Sequence, residues 1–414
     1  MKKYKIHYAW FILILGVFVV FGALGLARFG YSIVLPSMQK SLEMNNTQAG
    51  ALATANLIGY LVLSVIGGAL ASRYSPRIVI FIGLLLVGLG MLLTGLARSF
   101  SSAVIWRTLT GIGSGASNVP MMALLSAWFG AKRRGFASGI AATGSSVALI
   151  SIGPTVPYII SAYGESGWRI SWFIFASAVT LVAIICLFVL KNHPSDVGLS
   201  ALGNDGDRPT QTTNNKSIGW GQVYRSFAVW HLGLVYIAFG FSYIIYMTFF
   251  VKGLIAEGGW TQTSAGKLFM IMGWFSLLCG LIWGAVSDII GRKYALMIVY
   301  LIHTVSFSLF ALVPNTFGFT VSAILFGLSA WSIPAIMSAT CGDILGSKLA
   351  PAALGFITLF FGIGQAIAPF IAGRIADVSG SFLPAFLLAG GVAFLGAIGA
   401  LTLRPSVSPF IKGE

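Results

Sequence analysis

The sequence predicts an all-α membrane protein whose twelve transmembrane helices form two pseudo-symmetric six-helix bundles, with both termini cytoplasmic. Three observations predict it. Of 414 residues, 57% are hydrophobic and only 8% charged, too few charges to cover a water-facing surface, so lipid is the solvent for most of the chain. Apolar runs of spanning length, roughly 17 to 25 residues, recur twelve times. Features of the first half also return, in order, in the second half.

The spans fall at 8–37, 48–70, 78–97, 102–126, 136–160 and 169–190, then at 228–250, 264–287, 294–313, 317–339, 352–373 and 382–402. Met1-Lys2-Lys3-Tyr4-Lys5 ahead of an apolar run imitates a secretory leader. No small-residue cleavage site follows and the run is too long, so it reads as a retained first span. The one long hydrophilic interval, 191–225, reads as a cytoplasmic linker between an amino-terminal bundle, 1–190, and a carboxy-terminal bundle, 226–414. The 51 glycines suit close helix packing in a bilayer. Cys186, Cys279 and Cys341 are scattered, which fits neither a disulfide framework nor a metal site and suits buried structural positions.

The repeat is carried by four ordered matches. Gly113 and Pro120 correspond to Gly327 and Pro334, offset by 214; Gly68-Ala69 corresponds to Gly284-Ala285, offset by 216. Ala137 and Gly139 correspond to Ala353 and Gly355 at 216, and Pro154 corresponds to Pro369 at 215. Such a repeat implies a ligand site near the bilayer midplane, between the halves. Orientation follows from the lysines and arginines. With the amino terminus inside, 17 lie on the cytoplasmic side and 6 outside, leaving Arg28 and Arg107 within spans. The net charge of +15 therefore reflects membrane orientation. It forms no basic stripe and no recognition motif for nucleic acid.

The candidate site is built from what the spans contain. All ten acidic residues fall in loops or at span ends, so Arg28 and Arg107 lie in the membrane without a carboxylate in mid-span. Each costs about 2.5–3.5 kcal/mol at a helix centre, and the counter-ion they need is read as the substrate, an organic anion. Arg28 lies ~30 Å along the first span, so it either faces that anion, with Gly22, Gly25 and Gly30 bending the helix, or snorkels to the outer interface. Arg28 with Tyr31, and Asn56 with Tyr60, each read as one helical face. Asn118 and Gln365 place amides near mid-depth, and Tyr243, Tyr246, Trp274 and Trp331 are candidate aromatic walls. The alternative for each is that it ties or packs helices together. His231 lies near the inner interface and is a candidate for coupling. A possible proton or exchanged anion is the coupling partner, and no cofactor or metal is expected.

Three motifs carry a resemblance. Gly284-Ala285-Val286-Ser287-Asp288-Ile289-Ile290-Gly291-Arg292-Lys293, Arg107-Thr108-Leu109-Thr110-Gly111-Ile112-Gly113-Ser114-Gly115 and, partially, Gly153-Pro154 resemble the loop, helix 4 and helix 5 signatures of the major facilitator superfamily. The counterpart loop, Gly68 to Arg77, departs from the pattern, with Ser72 where the family has Asp. The likeness covers the whole chain. Arg28-Phe29-Gly30-Tyr31 with Leu35-Pro36 resembles a small, sparsely characterised bacterial branch, with a looser likeness to monocarboxylate and oxalate–formate carriers. The latter usually carry an arginine in helix 8, which the run 264–287 lacks.

The resemblance implies a monomeric carrier of the bacterial cytoplasmic (inner) membrane that moves a small solute by symport or antiport. It implies that Arg107 serves in structural hydrogen bonding or coupling, and that Gly284, Asp288, Gly291, Arg292 and Lys293 form a conformational latch. Physically, Asp288 is placed to pair with a basic side chain, and Gly291 to make the turn.

Enzymatic chemistry is not expected. The chain has no carboxylate pair, metal cluster, Walker loop or nucleophile elbow, and Gly113-Ser114-Gly115 lacks a strand-to-helix setting. A channel suits two latched halves poorly, and a receptor would need a signalling domain larger than residues 192–225. A multidrug carrier would place an acid in mid-span. A sugar carrier remains open, since amides and aromatic walls suit sugars.

Overall fold

The computed structural model describes residues 7–130, 133–203 and 220–403. The segment through Lys5, Lys132, the linker stretch from Asn204 to Lys216, and Arg404 and Lys412 lie outside the described residues, and part of the charge count lies with them. The architecture is all-helical; one isolated bridge, Phe129 to Leu202, is the β-pairing among the described residues.

The first apolar run is a single continuous rod made of α1 (Ala9–Val20), a π-helical segment (Phe21–Phe29) and α2 (Gly30–Ser41). There follow α3 (Asn46–Arg73), α4 (Pro76–Gly95), α5 (Phe100–Trp128), α6 (Arg134–Tyr163) and α7 (Gly167–Val189). After the linker come α8 (Trp220–Arg225), α9 (Phe227–Gly258), α10 (Gln262–Ser276), α11 (Cys279–Ile290) and α12 (Arg292–Leu312). The chain ends in α13 (Thr316–Ser329), α14 (Ser332–Ser379) and α15 (Leu383–Leu401). The run 264–287 is broken at 277–278, whereas the predicted spans 317–339 and 352–373 are joined through one 48-residue helix. Among the described residues, eight stretches, or nine if the α10–α11 pair counts as one span, are long and apolar enough to cross a membrane.

The contacts group the helices into two compact units. One holds the residues up to 203 together with Thr261–Trp274; the other holds 220–260 and the chain from Phe275 onward. The segment 261–274, which sequence order assigns to the second half, thus packs within the first unit. There a Cβ added at Gly266 would fall 2.2 Å from the Gly153 carbonyl oxygen. Gln262 Nε2 also donates to the Ile33 carbonyl at 2.6 Å, in the helix that contains Pro36.

Helix association in lipid has no hydrophobic drive of its own, so backbones must approach closely. In the first unit α5 does this on two faces. Cβ atoms added at Gly111 and Gly115 would lie 1.9 Å and 2.5 Å from the carbonyl oxygens of Asn56 and Tyr60 on α3. One at Gly113 would lie 2.5 Å from the Gly83 carbonyl on α4. The alternating glycines therefore wedge α5 between its two neighbours. The second unit uses the same device where α9 meets α14: a Cβ at Gly240 would lie 2.3 Å from the Phe361 oxygen, and one at Gly364 2.6 Å from the Ile237 oxygen. Gly240 stands 215 residues after Gly25, whose own Cβ position on the first rod meets Ala148 of α6. The internal repeat is thus a repeat of packing as well as of residues.

Candidate functional site

In the first unit the site begins with the π-helical segment. A π turn bonds each N–H five residues back, as Gly30 N–H does to Gly25 O, and such segments cluster at functional positions. Arg28 lies in its last turn, half-buried, with its guanidinium carbon 4.7 Å from the centre of the Tyr60 ring on α3. Asn118 of α5 donates from Nδ2 to the Tyr60 hydroxyl at 3.1 Å. Tyr60 therefore joins a cation on the first rod to an amide on α5. The Asn118 Oδ1 atom is buried and accepts no hydrogen bond.

Tyr31, which reads as one face with Arg28 in the sequence, makes its own contacts. Its hydroxyl donates to the Ala49 carbonyl at 2.7 Å, and its ring lies 4.9 Å from the Arg107 guanidinium carbon. Both side chains reach α3, Arg28 at Tyr60 and Tyr31 nearer its start, at Ala49. Asn56 and Tyr60 do share a face: Asn56 Nδ2 donates to the Arg107 carbonyl at 3.2 Å, so both meet α5.

Arg107 is 1% exposed, an exceptional burial for a cation. It lies between the rings of Tyr31 and Trp172, the latter 5.1 Å away, and donates to the Ala27 carbonyl of the π segment at 2.7 Å. Two aromatic faces and a carbonyl supply the negative potential that a carboxylate would otherwise provide. This geometry fixes the segment that carries Arg28. Trp172 and Ala27 were not among the sequence candidates. The pair Trp168 and Trp172, four apart on one helix, was the available signal, while a backbone carbonyl leaves none.

The second unit places aromatic and amide groups where the first has cations. Counting 215 residues on from Arg28, Tyr31 and Arg107 gives Tyr243, Tyr246 and Ser322. The Tyr243 hydroxyl accepts from Gln365 Nε2, its ring stacks on Phe239 at 4.6 Å, and Trp331 meets it edge-on at 6.3 Å. Tyr246 is fully buried among Phe250, Phe307 and Phe326, with its hydroxyl 2.7 Å from Ser322 Oγ. The Tyr31–Arg107 pair thus has its counterpart in Tyr246–Ser322, without the charge. Trp274 is 58% exposed and does not join the cluster around Arg28 through any contact described. His231 Nε2 lies 3.0 Å from the Gly399 carbonyl, tying the start of α9 to the end of α15.

Of the residues read as a latch, Asp288, Gly291 and Arg292 come together at one turn of the second unit. Gly291, at φ +89°, makes the turn between α11 and α12, a conformation that favours glycine. Across it Arg292 pairs with Asp288 at 2.5 Å, and its Nε bonds Asp343 at 3.1 Å. Its Nη1 also reaches Ser287 Oγ at 2.5 Å. Lys293 points to the Tyr294 ring at 5.8 Å, and an added Cβ at Gly284 would meet nothing within 4 Å. The corresponding turn of the first unit is held differently: Asn192 Oδ1 accepts from Ser75 Oγ at 3.0 Å and from the Arg77 N–H at 3.1 Å.

Comparison with known proteins adds independent observations. The family described as "Uncharacterised MFS-type transporter YbfB" matches residues 20–401. The hexuronate transporter of Bacillus subtilis (strain 168) is 24% identical over 397 residues, covering 92% of this chain and 92% of its own. The probable sulfoacetate transporter SauU of Cupriavidus necator is 23% identical over 399 residues, covering 91% and 90%. Among solved structures, a bacterial homologue of the human lysosomal transporter Spinster superposes with a TM-score of 0.73 at 16% identity, over 99% of this chain and 100% of that one. At that identity the likeness is one of fold.

Proposed function

Because this chain belongs to the YbfB-type family of the major facilitator superfamily, and is therefore a multi-pass membrane transporter and not an enzyme, we propose that it carries a small organic anion by alternating access, with Arg28 as the group that meets the anionic end. The observation that carries this reading is the place of Arg28. It is a half-buried cation seated on Tyr60, while the described acidic residues lie in turns or near the ends of candidate spans, Glu257, Asp343 and Asp377 among them. A half-buried guanidinium held against an aromatic ring and close to the Asn118 amide is a group that a transported carboxylate or sulfonate can pair with for the time it is bound. The hexuronate and sulfoacetate named for the relatives are anions of this kind.

The same reading takes the chain to cross the membrane twelve times. To the eight apolar stretches are added the α10–α11 pair, α3, α5 and the division of the stretch Arg134–Val189 into α6 and α7. α3 and α5 have 28 and 29 residues, long enough to span. Both carry buried polar residues, Asn56 on α3 and Arg107, Ser114, Ser117 and Asn118 on α5. Twelve spans with the linker inside put both ends in the cytoplasm, in agreement with the lysine and arginine count.

The Asp288–Arg292–Asp343 cluster acts on the conformational equilibrium and not on the substrate. Its members are partly exposed, so a single pair contributes about 0–1 kcal/mol. Asp288→Asn is accordingly expected to change the transport rate by up to about fivefold while the dissociation constant for the anion stays within about twofold. Uptake into proteoliposomes alongside equilibrium binding in detergent separates the two quantities, and a change confined to affinity counts against a latch.

The function itself is tested by a thermal-shift screen of the purified protein against small carboxylates, sulfonates, neutral sugars and lipophilic cations. Stabilisation by a carboxylate or sulfonate is the expected result. Stabilisation by cations or neutral sugars alone would overturn the reading.

A further inference from the structure

We infer that Asn118 and Tyr60 form a hydroxyl-recognising subsite beside Arg28, so that the transported anion is a hydroxy acid. This rests on the anion reading and adds to it a part of the molecule that an anionic group cannot satisfy. Asn118 is 7% exposed, its Nδ2 is committed to the Tyr60 hydroxyl oxygen, and its Oδ1 is buried with no donor. An amide oxygen needs a donor, and a carboxylate or sulfonate oxygen offers none. The phenol, having accepted from Asn118, still has its own O–H to give. The pair therefore presents one acceptor and one donor, the complement of an alcohol, which donates through its hydrogen and accepts at its oxygen.

The Tyr60 ring carries the Arg28 guanidinium on its face, so the hydroxyl subsite and the cation belong to one side chain's surroundings. A ligand ammonium could also donate to Asn118 Oδ1, but it would be placed next to Arg28, and like charges repel at short range. A neutral hydroxyl meets no such opposition. The second unit lacks the combination: Tyr243 stands in the place of Arg28 and already accepts from Gln365. Discrimination by such a site is strong, because a substrate without its hydroxyl leaves buried polar groups unpaired.

The test compares matched acids that differ only in hydroxyls, namely lactate with propionate and gluconate with hexanoate, by equilibrium binding to the purified full chain. Wild type is expected to bind each hydroxy acid at least about tenfold more tightly than its deoxy partner. Asn118→Leu removes both amide groups and should erase that preference by weakening the hydroxy acids alone. Asn118→Ser keeps an acceptor in a smaller side chain and should retain part of it, and both variants are checked for an unchanged elution profile. If wild type binds the paired acids equally, or Asn118→Leu keeps the preference, the hydroxyl subsite is overturned while the anion reading stands. If no acid of either kind binds, both fall together.

Discussion

Arg28→Gln protein folds and elutes as wild type does, yet loses its stabilisation by small organic anions. Folding survives because Arg28 is half-buried and its seat on the Tyr60 ring is a face contact that a shorter polar side chain can vacate. A cation–π contact contributes about 0.5–2 kcal/mol, and the glutamine stem keeps part of the packing. Binding does not survive, because the anion would be left desolvated without its counter-charge. Removing one partner of a buried charge pair costs about 2–5 kcal/mol or more, which corresponds to a loss of roughly thirtyfold or greater in affinity. Arg28→Lys should fall between the two, since it restores charge but not the planar fork that holds a carboxylate at two points. Anion titrations of the three proteins by thermal shift check the order. Equal anion affinity in all three would leave Arg28 an interfacial anchor.

Gly111→Ala carries the second large effect, this time on folding. The new Cβ would sit 1.9 Å from the Asn56 carbonyl oxygen and 2.8 Å from its carbonyl carbon. Both belong to the backbone of α3, so the clash cannot be relieved by turning a side chain, and the two helices must separate. Overpacking in a well-filled interior costs about 1–3 kcal/mol and occasionally more, and the displaced α3 also carries Asn56 and Tyr60 away from α5. Gly284→Ala is the matched control. It stands inside α11 with nothing near its added Cβ, where alanine is the better helix former by about 0.5–1 kcal/mol. Elution profiles and melting curves should show a large loss of folded protein for the first and none for the second. Equal behaviour would mean that the glycines of α5 do not set the helix spacing.

These two variants also mark how far the sequence could be read. The all-helical, spanning character of the chain was legible because lipid imposes one simple rule on length and apolarity, and the turn at Gly291 with Asp288 and Arg292 was legible because its partners lie within five residues. Gly111 was visible as part of a glycine-rich signature, but which backbone it faces depends on α3, some fifty residues earlier. Separations of 18, 51 and 76 residues hid the partners of Tyr31, Asn56 and Tyr246, whose polarity drew attention and whose bonds to Ala49, Arg107 and Ser322 only the fold supplies. Hydropathy carries no information on helical register, so the π segment at Phe21–Phe29 was not legible. That segment carries Arg28, and its Ala27 carbonyl accepts from Arg107. Nor could sequence order place Thr261–Trp274, whose contacts through Gly266 and Gln262 lie with helices of the first unit.

The central claim, that Arg28 serves the transport of an organic anion, is tested most directly by counterflow. Proteoliposomes holding wild type or Arg28→Gln are loaded with an excess of the anion that most stabilises the wild type in the ligand screen. They are then diluted into a trace of the labelled compound. Wild type is predicted to accumulate label transiently, and Arg28→Gln liposomes to match protein-free ones. Undiminished accumulation by the variant would contradict the account.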